Sequence, residues 1–128
     1  MSFSLHQLLW VAVGGACGAV ARFVVSSWIC DRTTSAFPWG TYAVNLLGSC
    51  LFGVLFVLVF MNQPQREMLR LLVMVGFLGA FTTFSTFSFE TVRLLESGLF
   101  GLAAFNVLAS VVTCVLGAWV GMGVARLF

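Results

Sequence analysis

Four long apolar runs separated by short polar stretches set the pattern of this chain, over about residues 5–29, 41–61, 71–95 and 99–124. A hydrocarbon layer of roughly 30 Å is crossed by a helix of about 20 apolar residues. Each run therefore predicts one membrane-spanning helix. The connections CDRTTSAFPWG and NQPQREMLR collect proline, glycine and charge, as breaks between spans do. Within the runs the polar and small positions are ordered. Gly14, Gly18 and Arg22 recur at i, i+4 and i+8 and share one face of the first helix. Thr41 and Asn45 share a face of the second, which Gly48 and Phe52 extend. Asn106, Ser110 and Thr113 fall at i, i+4 and i+7 on the fourth, with Gly117 next on that face. Polar stripes on such helices should face protein rather than lipid.

The third run breaks the pattern. From Gly76 to Glu90 it reads GFLGAFTTFSTFSFE, with hydroxyls at Thr82, Thr83, Ser85, Thr86 and Ser88 and phenylalanines at Phe81, Phe84 and Phe87. Three-residue spacing drifts around a helix of 3.6 residues per turn, so the rings form no simple stripe. Gly76, Gly79 and the hydroxyls weaken helix propensity. Two readings follow. A continuous helix would bond its hydroxyls back to its own carbonyls. A local break would free carbonyls in mid-membrane, and water or a cation would have to fill them. Glu90 and Arg93, three residues apart, are placed to pair at the end of this span.

Composition agrees with an all-α integral membrane protein of one four-span domain. Of 128 residues 61% are hydrophobic and 8% charged, against about a quarter charged in soluble domains. The start MSFSLHQLLW lacks the basic region of a signal peptide, so the first run is read as a retained helix. Cys17, Cys30, Cys50 and Cys114 have no metal-type or CxxC spacing and read as small buried thiols, and His6 stands alone. With four spans, Arg66, Arg70 and Arg126 share one side, and Arg32 and Arg93 the other, joined by Arg22 if it snorkels. That near-balance gives almost no orientation signal. Two oppositely inserted copies can then pair about an axis in the membrane plane.

The buried chemistry favours an anion. Hydroxyls, the Asn45 amide and a guanidinium are donors, and no carboxylate lies near the middle of a span. Ring edges carry the positive part of the aromatic quadrupole, so Phe84 and Phe87 can turn edges to a small anion or act as bulk packing. Asn45 can glue helices or offer its N–H groups to an anion. Arg22 can snorkel to the surface or stand at the mouth of an anion path. No nucleophile–base pair or phosphate loop is present in the sequence, so an enzyme is not expected, nor is a nucleic-acid partner.

Three blocks, GGACGAVAR, WGTYAVNLLGS and GFLGAFTTFSTFSFET, resemble the signature segments of the Fluc (CrcB-type) fluoride channels, and the likeness covers nearly the whole chain. It implies an antiparallel, dual-topology homodimer with a broken third helix and two pores. These would passively export cytoplasmic fluoride across the plasma (inner) membrane of a microbe. By that resemblance Phe84 and Phe87 are the pore phenylalanines and Asn45 the pore asparagine, with Thr41 close by. Thr83, Ser85 and Thr86 would form a polar track, with Asn106 and Ser110 facing it from the fourth span. Arg22 would sit near a vestibule. Carbonyls of Gly79 and Thr82 from both subunits would hold a structural sodium ion, and Glu90 matches a recurrent acidic position. Two departures stand out: Ala80 replaces a second glycine, and the fourth span offers Asn106, Ser110 and Cys114 in place of an aromatic or hydroxyl series. Two other classes fit a four-span chain. A small multidrug-type proton-coupled exporter would need a carboxylate in the first span, where this chain has only Arg22. A non-transporting membrane assembly protein would use the polar stripes as helix glue.

Overall fold

The computed structural model describes residues 4–61 and 66–128. The first part of the connection NQPQREMLR and the first residues of the N-terminal segment lie outside the described residues. Every regular element among those described is helical, and four stretches are long and apolar enough to cross a membrane: Leu5–Cys30, Trp39–Val59, Glu67–Glu96 and Phe100–Ala125.

Helix α1 (Leu5–Cys30) opens on a capping box. Ser4 Oγ accepts from the Gln7 N–H at 3.2 Å, and Gln7 Oε1 accepts from the Ser4 N–H at 3.1 Å. Gln7 Nε2 also donates to Glu67 Oε1 at 2.7 Å, tying the start of α1 to that of the third stretch. Pro38 caps α2 (Trp39–Leu55) after a turn in which Phe37 is buried against Trp39 and Phe105. The second stretch continues through wider π-type turns over Phe56–Met61. The third is composite: α3 (Glu67–Leu69), π-type turns over Arg70–Leu78, α4 (Gly79–Phe81) and α5 (Phe84–Glu96). Helix α6 (Phe100–Ala125) follows a tight reversal. There Gly98 adopts φ +73°, the Leu99 N–H donates to the Leu94 carbonyl at 2.9 Å, and the Gly98 N–H to that of Leu95 at 3.0 Å. This is a Schellman end, and the left-handed residue it needs is glycine.

Apolar burial alone holds little here, because lipid is as apolar as leucine; close backbone approach takes its place. The buried residues of α1 are Gly14 and Gly18. A Cβ at Gly14 would strike the Leu72 carbonyl, and one at Gly18 the Phe77 carbonyl. Helix α1 therefore lies backbone to backbone on the third stretch, and Gly76 meets it from the other side, 3.0 Å from Gly14 Cα for a Cβ placed there. Helices α2 and α6 repeat the device: a Cβ at Gly53 would strike the Ala118 carbonyl, and one at Gly121 the Cys50 carbonyl. Leu, Val, Phe and Trp side chains cover the outward faces.

The thiols differ from the sequence expectation. All four are free, but Cys17 and Cys30 are exposed on the outward surface and only Cys50 and Cys114 are partly buried. Composition could not distinguish them, since an apolar residue in a span is as well placed against lipid as in a core. The Glu90–Arg93 pair is also not made among the described residues. Glu90 Oε1 instead accepts from Thr41 Oγ at 2.9 Å, and Glu90 Oε2 is buried without a hydrogen-bond partner. Helix α5 turns the carboxylate inward to α2, a contact across 49 positions that local spacing does not reveal.

Candidate functional site

The site is built where helical winding gives way between α4 and α5. Thr82 (φ −84°, ψ 156°) and Thr83 (φ −150°, ψ 116°) are extended, whereas Gly79 (φ −62°, ψ −33°) is helical. The hydroxyls explain where the winding restarts. Thr83 Oγ accepts from the Thr86 N–H at 3.2 Å, an N-cap that fixes the first turn of α5. The same oxygen donates to Thr86 Oγ at 3.0 Å and lies 3.3 Å from Ser85 Oγ. Thr82 and Ser88 behave as back-bonded hydroxyls, donating to the carbonyls of Leu78 and Phe84 at 3.0 and 2.9 Å.

Backbone groups freed from a helix inside a membrane need partners. Asn45 meets one of these needs, its Oδ1 accepting from the Thr83 N–H at 2.7 Å, and adds a second bond to the α5 N-cap by donating from Nδ2 to the Thr83 carbonyl at 3.0 Å. Arg22 meets another, donating from Nε to the Ala80 carbonyl at 3.0 Å. The face shared by Gly14, Gly18 and Arg22 thus packs on the third stretch, with the guanidinium at the interruption. The carbonyls of Gly79 and Thr82 also lose their helical donors. The N–H four residues beyond Gly79 belongs to Thr83 and is taken by Asn45; the one four beyond Thr82 belongs to Thr86 and is taken by Thr83 Oγ.

A cavity of about 460 Å³ opens beside this arrangement, walled by α2, the extended pair, α5 and α6. Of the residues singled out from the sequence it brings together Asn45, Thr82, Thr83, Phe84, Phe87 and Ser110. The Phe84 and Phe87 rings lie 5.4 Å apart at 44°. Phe84 is 78% exposed within the single chain and Phe87 only 8%. Thr41, Ser85, Thr86 and Asn106 do not line the cavity. Thr41 is buried on Glu90. Asn106, 1% exposed, donates from Nδ2 to Thr91 Oγ at 2.9 Å and accepts a long 3.4 Å bond from Ser110 Oγ. Gly79 borders a second cavity of about 350 Å³ with Phe52, Arg70 and Met74.

Of the polar wall residues, Ser49 was not singled out from the sequence, and Cys114 was noted there only as a buried thiol and a departure of the fourth span. Ser49 lies one turn beyond Asn45 and donates to the Asn45 carbonyl at 2.7 Å, so extending the Thr41–Asn45 stripe by four residues finds it. Cys114 continues the Asn106–Ser110 spacing in the same way.

The donors that face this space are few and weakly engaged. A primary amide has two N–H groups, and Asn45 Nδ2 spends one on Thr83. The Ser110 hydroxyl is held by only a 3.4 Å bond. Such a lining favours a small species that takes hydrogen bonds.

The family model described as CrcB-like protein, Camphor Resistance (CrcB), matches residues 9–122. A curated protein of Magnetococcus marinus named fluoride-specific ion channel FluC is 54% identical over 121 residues, covering 94% of this chain and 98% of its own length. Proteins with the same name from Geobacter sulfurreducens and Hahella chejuensis are 47% and 48% identical, covering 95% and 97% of this chain and 98% of each relative.

Proposed function

The chain belongs to the CrcB family, and on that premise we propose that it is a fluoride-selective passive channel of a bacterial membrane, working through the cavity beside Asn45, Phe84 and Phe87. It is a multi-pass membrane protein whose family are channels, not enzymes. The observation that carries the reading is the doubly bonded Asn45, which holds the extended backbone open and keeps one N–H in hand. Fluoride enters a narrow space only by shedding water. The spare Asn45 N–H, the loosely held Ser110 hydroxyl and the edges of Phe84 and Phe87 then replace that shell with several weak donors. Larger halides, with the same charge spread over a bigger ion, gain less from each donor. Neither the proton-coupled exporter nor the assembly protein is favoured by any observation.

The test is direct. Liposomes carrying the purified protein should release fluoride into a fluoride electrode when a potassium ionophore balances charge, and chloride release should stay at background. Equal release of chloride, or none of fluoride, overturns the reading.

The working unit is an antiparallel homodimer with two pores in the plasma (inner) membrane. Support comes from the near-balance of arginines across the membrane and from Phe84, a pore-side ring that a single chain leaves 78% exposed. A reporter fused to the C-terminus should be found on both membrane faces in comparable amounts. A single orientation in cells would remove the dual-topology arrangement.

A structural sodium ion fits the same residues. Carbonyls of Gly79 and Thr82 have lost their helical donors, and hard oxygen ligands suit a hard monovalent cation. The Gly79 and Thr82 carbonyls would hold the ion, and it would supply a positive charge that offsets their partial negative charges. A Cβ at Gly79 would meet only the Met74 carbonyl, at 3.8 Å, an ordinary contact. The Cβ that Gly79→Val adds therefore meets no clash within one chain, and the variant's harm should fall on the shared site. Thermal unfolding of the native protein should occur at a higher temperature in sodium than in N-methylglucamine, and Gly79→Val should erase that difference. Identical unfolding of the native protein in both salts counts against the ion.

A further inference from the structure

One pair of reactive groups beside the cavity is used by nothing above. Cys114 is part of the cavity wall on α6, and Cys50 faces it from α2. A Cβ at Gly117 would lie 2.7 Å from Cys50 Sγ, so that sulfur rests on the α6 backbone, one turn from Cys114. The Cys50 main chain is pinned at the same place, since a Cβ at Gly121 would strike its carbonyl oxygen. Ser49 and Cys114 share the cavity wall, and the Cys114 thiol lies near that of Cys50. Both are free and partly buried, whereas Cys17 and Cys30 lie exposed elsewhere on α1. Two thiols on facing, rigidly apposed helices beside the cavity suit a soft cation that prefers two sulfur ligands in line.

We propose that Cys50 and Cys114 together bind a thiophilic d¹⁰ cation of the mercuric or silver type, and that loading this pair obstructs the conduction path. The obstruction rests on the channel reading; the binding does not. With mercuric ion, each thiol gives its proton to water, each sulfur forms one bond to the metal, and nothing is oxidised or reduced. Soft ions choose thiolate over the surrounding hydroxyls and amides. The bound metal would sit against Ser49 and close to Ser110, where it would replace weak donors with a fixed obstruction and a repacked wall.

The experiment uses the full chain carrying C17S and C30S, so that Cys50 and Cys114 are the thiols left. Mercuric nitrate is the probe, with fluoride efflux from liposomes, intact mass and free-thiol titration read on the same samples. Expected are loss of efflux, recovery with dithiothreitol, a mass gain of a single mercury per chain with two protons lost, and disappearance of both free thiols. Adding C114S or C50S should leave whatever flux that variant has insensitive to mercury at the same dose. Thiols that stay titratable, or one mercury on each sulfur, would overturn the pair as a joint site. Bridging by mercury with efflux untouched would overturn its place beside the path. A protein that passes no fluoride before mercury is added fails the channel reading instead, and the mass and thiol measurements still decide the pair.

Discussion

Phe84→Ile is expected to cut fluoride efflux by at least ~10-fold, the change that follows from losing about 1.4 kcal/mol at the barrier, while the protein still folds and purifies as the native one does. The ring is 78% exposed in the chain, so its removal takes away little packing. Phe87→Ile should reduce efflux as strongly but with a measurable loss of stability. That ring is 8% exposed, and a shape change in a packed site costs roughly 1–1.5 kcal/mol. The contrast separates the two roles. Efflux traces give the effect on conduction, and detergent-solution melting gives the effect on packing. Two variants that conduct like the native protein would return both rings to packing, whatever their melting temperatures.

Asn45→Leu should be the most damaging single change in α2. It strands the part-buried Thr83 N–H, at a cost of about 1–3 kcal/mol, and removes the second bond to the Thr83 carbonyl, which keeps its helical donor in α5. That is a sizeable share of a small domain's whole stability, about 5–15 kcal/mol. The expected outcome is a protein that aggregates or melts far below the native one. Asn45→Asp retains an acceptor for the Thr83 N–H but sets a carboxylate oxygen against the Thr83 carbonyl and adds negative charge beside an anion path. It should survive purification better than the leucine variant and still fail to pass fluoride. An Asn45→Leu protein with native melting and native flux would leave the amide no structural or conducting role.

What could be read from the sequence was periodic or compositional. Four apolar stretches and their inward stripes follow from hydropathy and helix geometry, because a lipid-facing position tolerates neither a buried amide nor a run of polar side chains. Gly14, Gly18 and Arg22 share a face by spacing, and that face packs on the third stretch. Non-local pairing stayed hidden. Nothing near Asn45 announces that it bonds residue 83, nor near Glu90 that it turns to Thr41 instead of Arg93. Low helix propensity drew attention to Gly79, but the extended residues are Thr82 and Thr83, chosen by the cap that Thr83 provides and by the waiting amide of Asn45. The wide turns over Phe56–Met61 and Arg70–Leu78 have no composition that marks them. Ser49 was legible in principle, by carrying a stripe one step further.

Glycine at the helix crossings has a mechanical consequence. Side-chain contacts yield: rotamers hop, and a bore lined by them widens and narrows on nanosecond timescales. Main chain seated directly on main chain at Gly18, Gly53 and Gly121 leaves no such give, since carbonyl positions shift only if a whole helix slides. The frame that carries the cavity's side chains is then stiff, and the spacing of α2 from α6 and of α1 from the third stretch should hold with little change as the sample is warmed, up to the temperature at which the helices themselves come apart.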